Sequence, residues 1–257
     1  MIKKVTLFLI ISILSVSCVS RKKIAYFQNI EEVDVLEIRY EPKLQPDDLL
    51  LILVSAPDTE AALPFNLPAA AVIGLGNMPL DATNAQPRYQ TYLVDNMGNV
   101  QFPVIGAFKL GGLTRAEAIE KLKRELEKYI NNPIVNMRIM NYKISVMGEV
   151  ARQGSYNITT ERVTLPEALS MAGDMTIYGN RNKVLIIREI DGVKTHNFVD
   201  MTKADFINSP FYYLSQNDLV YVEPNKTKIN SSAIGPNVTV GISAISLLIT
   251  IVALVTR

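Results

Sequence analysis

The apolar positions of the chain change period along its length, and each change marks an element. Leu49 to Val54 is continuously apolar, the pattern of a strand covered on both faces, and Pro42 and Pro46-Asp47-Asp48 feed into it as a turn. Tyr89 to Val94 leads to Asn96-Met97-Gly98-Asn99, a turn with Gly98 where positive φ is wanted. Val100, Phe102 and Val104 then alternate at the strand period, and Pro103-Val104-Ile105-Gly106 closes that strand. After the break at Gly111-Gly112, Thr114 followed by Glu117 makes a capping box. The helix it predicts carries Ala118, Ile119, Leu122, Leu126 and Tyr129 on one face and runs to about Tyr129, before Asn131-Asn132-Pro133. Ile134 to Met140 alternates again and reads as a strand.

A second unit follows. Lys143 to Val150 is a strand ending in a bend at Gly148, and Gly154 to Ile158 restarts it. Thr164 caps a short helix, Leu165 to Ala172, that Gly173 stops. Lys183 to Arg188 and Thr195 to Val199 are strands joined at Asp191-Gly192, and Leu219 to Val222 is a last short strand. Ile24 to Glu37 reads as a linker and then a first strand. Ala56 to Arg88, rich in proline, glycine and alanine, reads as a long irregular loop that either lines an interface or stays floppy. Asn225 to Ser232 is a polar linker. Asn237 to Val255 carries no charge over 19 residues, and a helix of that length reaches about 28 Å, close to a hydrocarbon core. Thr239, Ser243, Ser246, Thr250 and Ala253 form one small, mildly polar stripe on it. The stripe suits close packing of membrane helices or a wet lumen within a ring of them; a single tail anchor and a buried core helix are the other readings.

Composition narrows the function. With 257 residues the chain holds one or two domains with real cores, and a net charge of +1 argues against nucleic acid as a partner. One histidine, His196, in a polar strand reads as a surface residue and removes every histidine-based triad; one cysteine removes internal disulfides and most zinc sites. Arg188, Glu189 and Asp191 put acids near a hairpin, but neighbours in a strand face opposite ways, so the cluster reads as a solvated turn rather than a glycosidase pair. No enzyme, metal or cofactor is expected. At the N-terminus, Lys3-Lys4, the apolar run Val5 to Leu14 and the small residues up to Cys18 have the order of a signal peptide, too short to span a bilayer.

These residues also carry a resemblance. The run Val94-Asp95, Gly98, Phe102-Pro103-Val104-Ile105-Gly106, then Gly112-Leu113-Thr114 and Glu117-Ala118, resembles the signature of polysaccharide export proteins of the bacterial outer membrane. Val146 to Val150 with Gly154-Ser155-Tyr156, Thr164-Leu165 with Ala172-Gly173, and Asn217-Asp218-Leu219 to Val222 resemble a soluble-ligand-binding β-grasp domain. Asp47 stands where the export pattern commonly has glycine, and Asp174 and Asn217 where the β-grasp pattern does, all three being residue types that tolerate positive φ. Leu14 to Cys18 resembles a lipobox, with Ser15 in place of the usual leucine.

The resemblance implies an α+β protein of two small periplasmic domains, with a lipoprotein signal peptide and a C-terminal membrane helix. The segments are 1–17 signal peptide, 18–37 lipidated N-terminus and linker, 38–140 polysaccharide export domain, 141–224 β-grasp domain, 225–236 linker and 237–255 transmembrane helix. Cys18 would carry acyl chains, palmitate among them. The family motif would place Asp95, Gly98, Pro103, Gly106, Gly112, Thr114, Gly148, Gly154, Gly173 and Asp218 in structural roles. The implied function is the outer-membrane component of capsular or extracellular polysaccharide export, an oligomeric conduit for glycan. The implied partners are polysaccharide, further copies of the chain in a ring, membrane lipid and an inner-membrane co-polymerase. The alternative is a membrane-anchored periplasmic glycan-binding accessory protein that forms no pore.

Overall fold

The computed structural model describes residues 24–34, 36, 40–67, 89–190, 192–233 and 236–255. The expected signal peptide at 1–17, Cys18, the greater part of the 56–88 loop and Asp191 lie outside the described residues.

The apolar run of the first unit forms β1 (Leu49–Ser55), the centre of a three-stranded antiparallel sheet between β2 (Thr91–Leu93) and β5 (Ile134–Ile139). Leu50, Ile52 and Val54 are buried while Leu49, Leu51 and Leu53 are half-buried, so only one face of β1 is fully covered, not both. The cover is α2 (Arg115–Leu126), whose Ala118, Leu122 and Leu126 join Met137 and Val135 in one core. Its capping box forms as expected: Glu117 N–H donates to Thr114 Oγ1 at 3.3 Å, and Thr114 N–H to the Glu117 carboxylate at 2.8 Å. The helix stops at Leu126, a turn earlier than the periodicity indicated. Tyr129 is exposed and Ile130 takes the buried place. The hairpin β3 (Asn99–Phe102) and β4 (Gly106–Lys109) also ends its strand earlier than the alternation suggested. Val104 is not a strand residue but the tip of the turn, at φ 66. In the 56–88 loop, Asp58 caps the one-turn helix α1 (Thr59–Ala62), and the turn after it buries Phe65 in the first core.

The second unit is a five-stranded mixed sheet in the order β10 (Val193–Val199), β9 (Gly179–Ile190), β12 (Leu219–Pro224), β6 (Lys143–Gly148), β7 (Gly154–Asn157). Only β12 and β6 run parallel. The short ribbon β8 (Val163–Thr164) with β11 (Tyr213–Leu214) leads into α3 (Leu165–Met171), capped by Thr164 with Glu167 as the first helix is by Thr114. Ile144, Val146, Val184, Ile186, Val220 and Val222 from the sheet pack on Leu165, Ala168 and Leu169. Both units are small and mix helix with sheet.

The ends differ from the sequence reading. Residues 24–36 are not a free linker, and no strand occurs there among the described residues. The Gln28 N–H donates to the Thr202 carbonyl at 2.8 Å, Phe27 packs on Phe206, and Tyr26 bonds Asp174 at 2.6 Å, so this segment is docked on the second unit. The polar stretch after β12 is likewise no linker. Asn225 caps a helix, α4 (Lys226–Ala233), through Lys228 N–H at 3.0 Å. The helix expected over 237–255 is present as α5 (Pro236–Val255). Its described side chains run from Val240 to Leu254 and all are exposed; among the described residues no helix is long and apolar enough to cross a membrane.

Candidate functional site

Two turns of the same design meet at the junction of the units. In the first, Gln45 N–H donates to Asp48 Oδ2 at 2.8 Å, Asp48 N–H returns to the Gln45 carbonyl at 3.2 Å, and Asp47 between them has φ 68. In the second, Ser215 N–H donates to Asp218 Oδ2 at 2.7 Å, Asp218 N–H returns to the Ser215 carbonyl at 3.2 Å, and Asn217 has φ 63. Each turn then feeds the central strand of its sheet. Asn141, between the units, joins them. It donates to the Asp47 carbonyl at 2.8 Å, accepts from Leu49 N–H at 2.9 Å, and offers its own carbonyl to Gln216 at 2.9 Å.

The two aspartates are buried alike but partnered differently. Asp218 receives Arg188 in a fork, Nε to Oδ1 at 2.9 Å and Nη2 to Oδ2 at 2.7 Å, and Arg188 Nη2 also reaches the Tyr213 carbonyl at 2.9 Å. Burial opposes the Arg188 charge, yet the carboxylate against it more than compensates and raises the guanidinium pKa. Arg188 is therefore no part of a solvated turn, whereas Glu189 beside it is exposed. Asp48 has no such cation. Its Oδ1 is buried without a hydrogen bond, and burial pushes its carboxyl up to about 6 despite the Gln45 bond.

Around this junction Tyr142 donates to the Leu214 carbonyl at 2.5 Å, and the Tyr40 and Ser215 hydroxyls are hydrogen-bonded at 2.6 Å while Tyr40 stacks on Tyr213 with ring centroids 5.2 Å apart. On one side a cleft of about 560 Å³ opens between the units. Arg115, Arg138 and Arg162 reach it from three elements, with Glu41 and Glu161 and the hydroxyls of Thr159 and Thr160. Arg115 pairs with Glu161 at 2.9 Å across the two units, an exposed pair worth at most about 1 kcal/mol. Chemically the cleft offers guanidinium forks and hydroxyl groups, suited to an anionic, hydroxyl-rich ligand.

The motif residues hold turns. Asp95 accepts from Asn99 N–H at 2.7 Å and Met97 N–H at 2.9 Å, which holds its carboxyl below the usual range. Leu110 and Gly111 N–H both donate to the Gly98 carbonyl, and a Cβ on Gly111 would stand 2.6 Å from Gly98 Cα, so a glycine at 111 permits this close backbone contact. Lys109 covers the same turn by donating to the Met97 carbonyl. Pro103 and Gly106 flank the turn at Val104, and Gly112 N–H donates to the Leu44 carbonyl at 2.8 Å. At Gly148 a Cβ would strike the Val222 carbonyl where β6 meets β12. Gly173 ends α3 with Asp174 at φ 70 after it, while nothing around Gly154 requires a glycine. Of the helix stripe, Ser246 and Thr250 bond the carbonyls four residues back, at 2.9 Å each, and so satisfy their own hydroxyls. The Thr239 side chain lies outside the described residues. His196 is exposed, and among the described residues no group of three or more metal-ligating side chains is assembled.

The junction escaped the sequence reading, although a signal existed. Pro46-Asp47-Asp48-Leu49 and Gln216-Asn217-Asp218-Leu219 share an aspartate at the third position, directly before the leucine that opens an apolar strand.

Two small mixed domains are bolted together through paired aspartate turns and carry motif glycines at backbone contacts. Residues 36–140 match the family model described as polysaccharide biosynthesis/export protein, and residues 142–222 match the SLBB domain. The chain thus carries a segment similar to polysaccharide export proteins followed by an SLBB domain. It is similar to the EPS I polysaccharide export outer membrane protein EpsA of Ralstonia solanacearum and to that of Ralstonia nicotianae, at 31% identity over 106 residues in each case. The alignment covers 40% of this chain and 28% of each relative, so the chain spans less than a third of the length of the curated relatives it matches.

Proposed function

We propose that the protein is the outer-membrane component of capsular or extracellular polysaccharide export, with its two domains in the periplasm. The observation that carries this reading is the order along the chain: export domain, SLBB domain, then α5, whose described apolar side chains have no protein cover. The domains run over 38–140 and 141–224, the second as a β-grasp unit. Cys18 holds acyl chains at the membrane, each buried methylene adding about 0.8 kcal/mol. α5, which among the described residues falls short of a full membrane span, enters the lipid with its exposed apolar side chains. Its internally bonded stripe lowers the cost of that entry. Copies close into a ring, which creates a passage that no single copy has. Glycan moves through it passively, and an inner-membrane co-polymerase supplies the energy. Removing residues 236–257 is expected to leave soluble domains and abolish surface polysaccharide, measured by extraction and staining; export surviving that deletion overturns the conduit.

The cleft favours a second reading, a membrane-anchored accessory that holds glycan without a pore. Arg115→Ala with Arg138→Ala then weakens binding of an acidic oligosaccharide in calorimetry while the full-length protein in mild detergent stays monomeric by light scattering. A closed ring in that measurement supports the conduit.

A further inference from the structure

Both described ends of the chain are fastened to one loop of the second domain, Asp174 to Arg181. On the N-terminal side, Tyr26 donates to Asp174 Oδ1 at 2.6 Å and lies under the Arg181 guanidinium at 5.2 Å. On the C-terminal side, Asn225 N–H donates to the Tyr178 carbonyl at 2.7 Å, and its side-chain amide to the Ile177 carbonyl at 3.2 Å. Lys228 of α4 sits over the Tyr178 ring at 5.1 Å. The loop is braced from within. Arg181 donates to the carbonyls of Met175, Thr176 and Gly179 at 3.2 Å each, and Thr176 donates to Glu149 at 2.8 Å.

This rigid loop turns two large apolar side chains outward. Ile177 is 57% exposed and Tyr178 39%, and on the first turns of α4 Ile229 is 53% exposed, flanked by Lys226 and Lys228. The nearby acids are already engaged, Asp174 by Tyr26 and Glu149 by Thr176 and Lys228. An exposed aliphatic, an amphipathic tyrosine and lysines on long stems are the side chains that settle at the boundary of headgroups and acyl chains. α5 begins three residues beyond α4 and exposes apolar side chains on either side of its Ser243, Ser246 and Thr250 stripe, so the chain leads from this loop into an element that needs apolar cover.

We propose that Ile177, Tyr178 and Ile229 form an interfacial foot by which the second domain stands on a lipid surface. The proposal deepens the membrane reading of α5 and rests on it. It fixes orientation as well as attachment. The loop end of the sheet meets the lipid, and the Gly192 hairpin, at the far end of the 12-residue β9, lies about 36 Å away.

The chain contains no tryptophan, so a single introduced one reports its own surroundings. Full-length protein carrying Tyr178→Trp, Val193→Trp or Leu247→Trp is reconstituted into phosphatidylethanolamine–phosphatidylglycerol vesicles with brominated acyl chains. The Tyr178→Trp variant is expected to lose most of its emission when bromine lies near the headgroups and less when it lies deep, with the Val193→Trp variant unaffected. Ile177→Trp repeats the test should the first variant fold poorly by circular dichroism. Quenching at 247 without quenching at 177 or 178 overturns the foot and leaves the membrane reading standing. Absence of quenching at 247 overturns both. Shielding in the Tyr178→Trp variant that appears with protein concentration in detergent alone assigns the patch to a second copy and also overturns the proposal.

Discussion

Asp48 and Asp218 occupy the same place in two copies of one turn, and the difference between them is a single arginine. The folded-state pKa of Asp48 is raised above its unfolded value of 3.8 to about 6, so the folded state holds that proton more tightly. Its contribution to stability is full below pH 3.8 and is lost as pH rises through about 6. Asp48→Asn is expected to flatten the stability profile between those values and to raise stability near pH 7.5 by about 2 kcal/mol, measured by urea unfolding across pH. The opposite holds at the paired copy. Asp218→Asn leaves Arg188 buried without its counter-charge and is expected to cost about 3–5 kcal/mol. The left-handed positions were legible in the sequence. Asp47, Asp174 and Asn217 were read as stand-ins for glycine, and all three have positive φ. The pairing of Asp218 was not legible, because Arg188 lies 30 residues away on a neighbouring strand and only the sheet register brings them together.

At the scale of elements, capping and turn chemistry set the boundaries better than periodicity did. Thr114 and Thr164, each followed by glutamate at the third helical position, start both domain helices where expected. Thr164→Ala is expected to cost about 1 kcal/mol in chemical denaturation, and Leu122→Ala, which empties the centre of the first core, about 2–5 kcal/mol. Periodicity overran twice, at Val104 and at Tyr129. Val104 has the spacing of a strand residue, but Pro103 before it and Gly106 after it force a reversal, and the Ile105 N–H closes a three-residue turn on the Pro103 carbonyl at 2.7 Å. A β-branched residue at φ 66 is strained, so Val104→Gly is expected to stabilise the hairpin by about 1 kcal/mol, read as a higher unfolding midpoint. The helix after β12 was read as a linker because KTKINSS is polar; Asn225 supplies the cap that lets it form. Polar composition alone does not separate a solvated helix from a coil.

For the whole molecule, the order of the two domains was legible while their coupling was not. Asn141 and Tyr40 bond across a boundary that the sequence marks only as a change of pattern. With Tyr40 reaching Ser215 and Arg115 reaching Glu161, the domains are expected to unfold together. A chain ending before α5 should show one calorimetric transition, and Tyr142→Phe should lower its midpoint through the loss of about 1 kcal/mol of hydrogen bonding. Two separated transitions in the parent would show the junction to be weak.

The placement of β12 has a mechanical meaning. This strand lies between β9 and β6, and α4 continues from it with only Asn225 between. Tension on the terminal helix along the strand is therefore delivered to the middle of the sheet, where the ladders on both sides resist in shear and must give together. An edge strand under the same pull would peel away one rung at a time. The domain is built so that whatever grips its last helix pulls on its strongest seam.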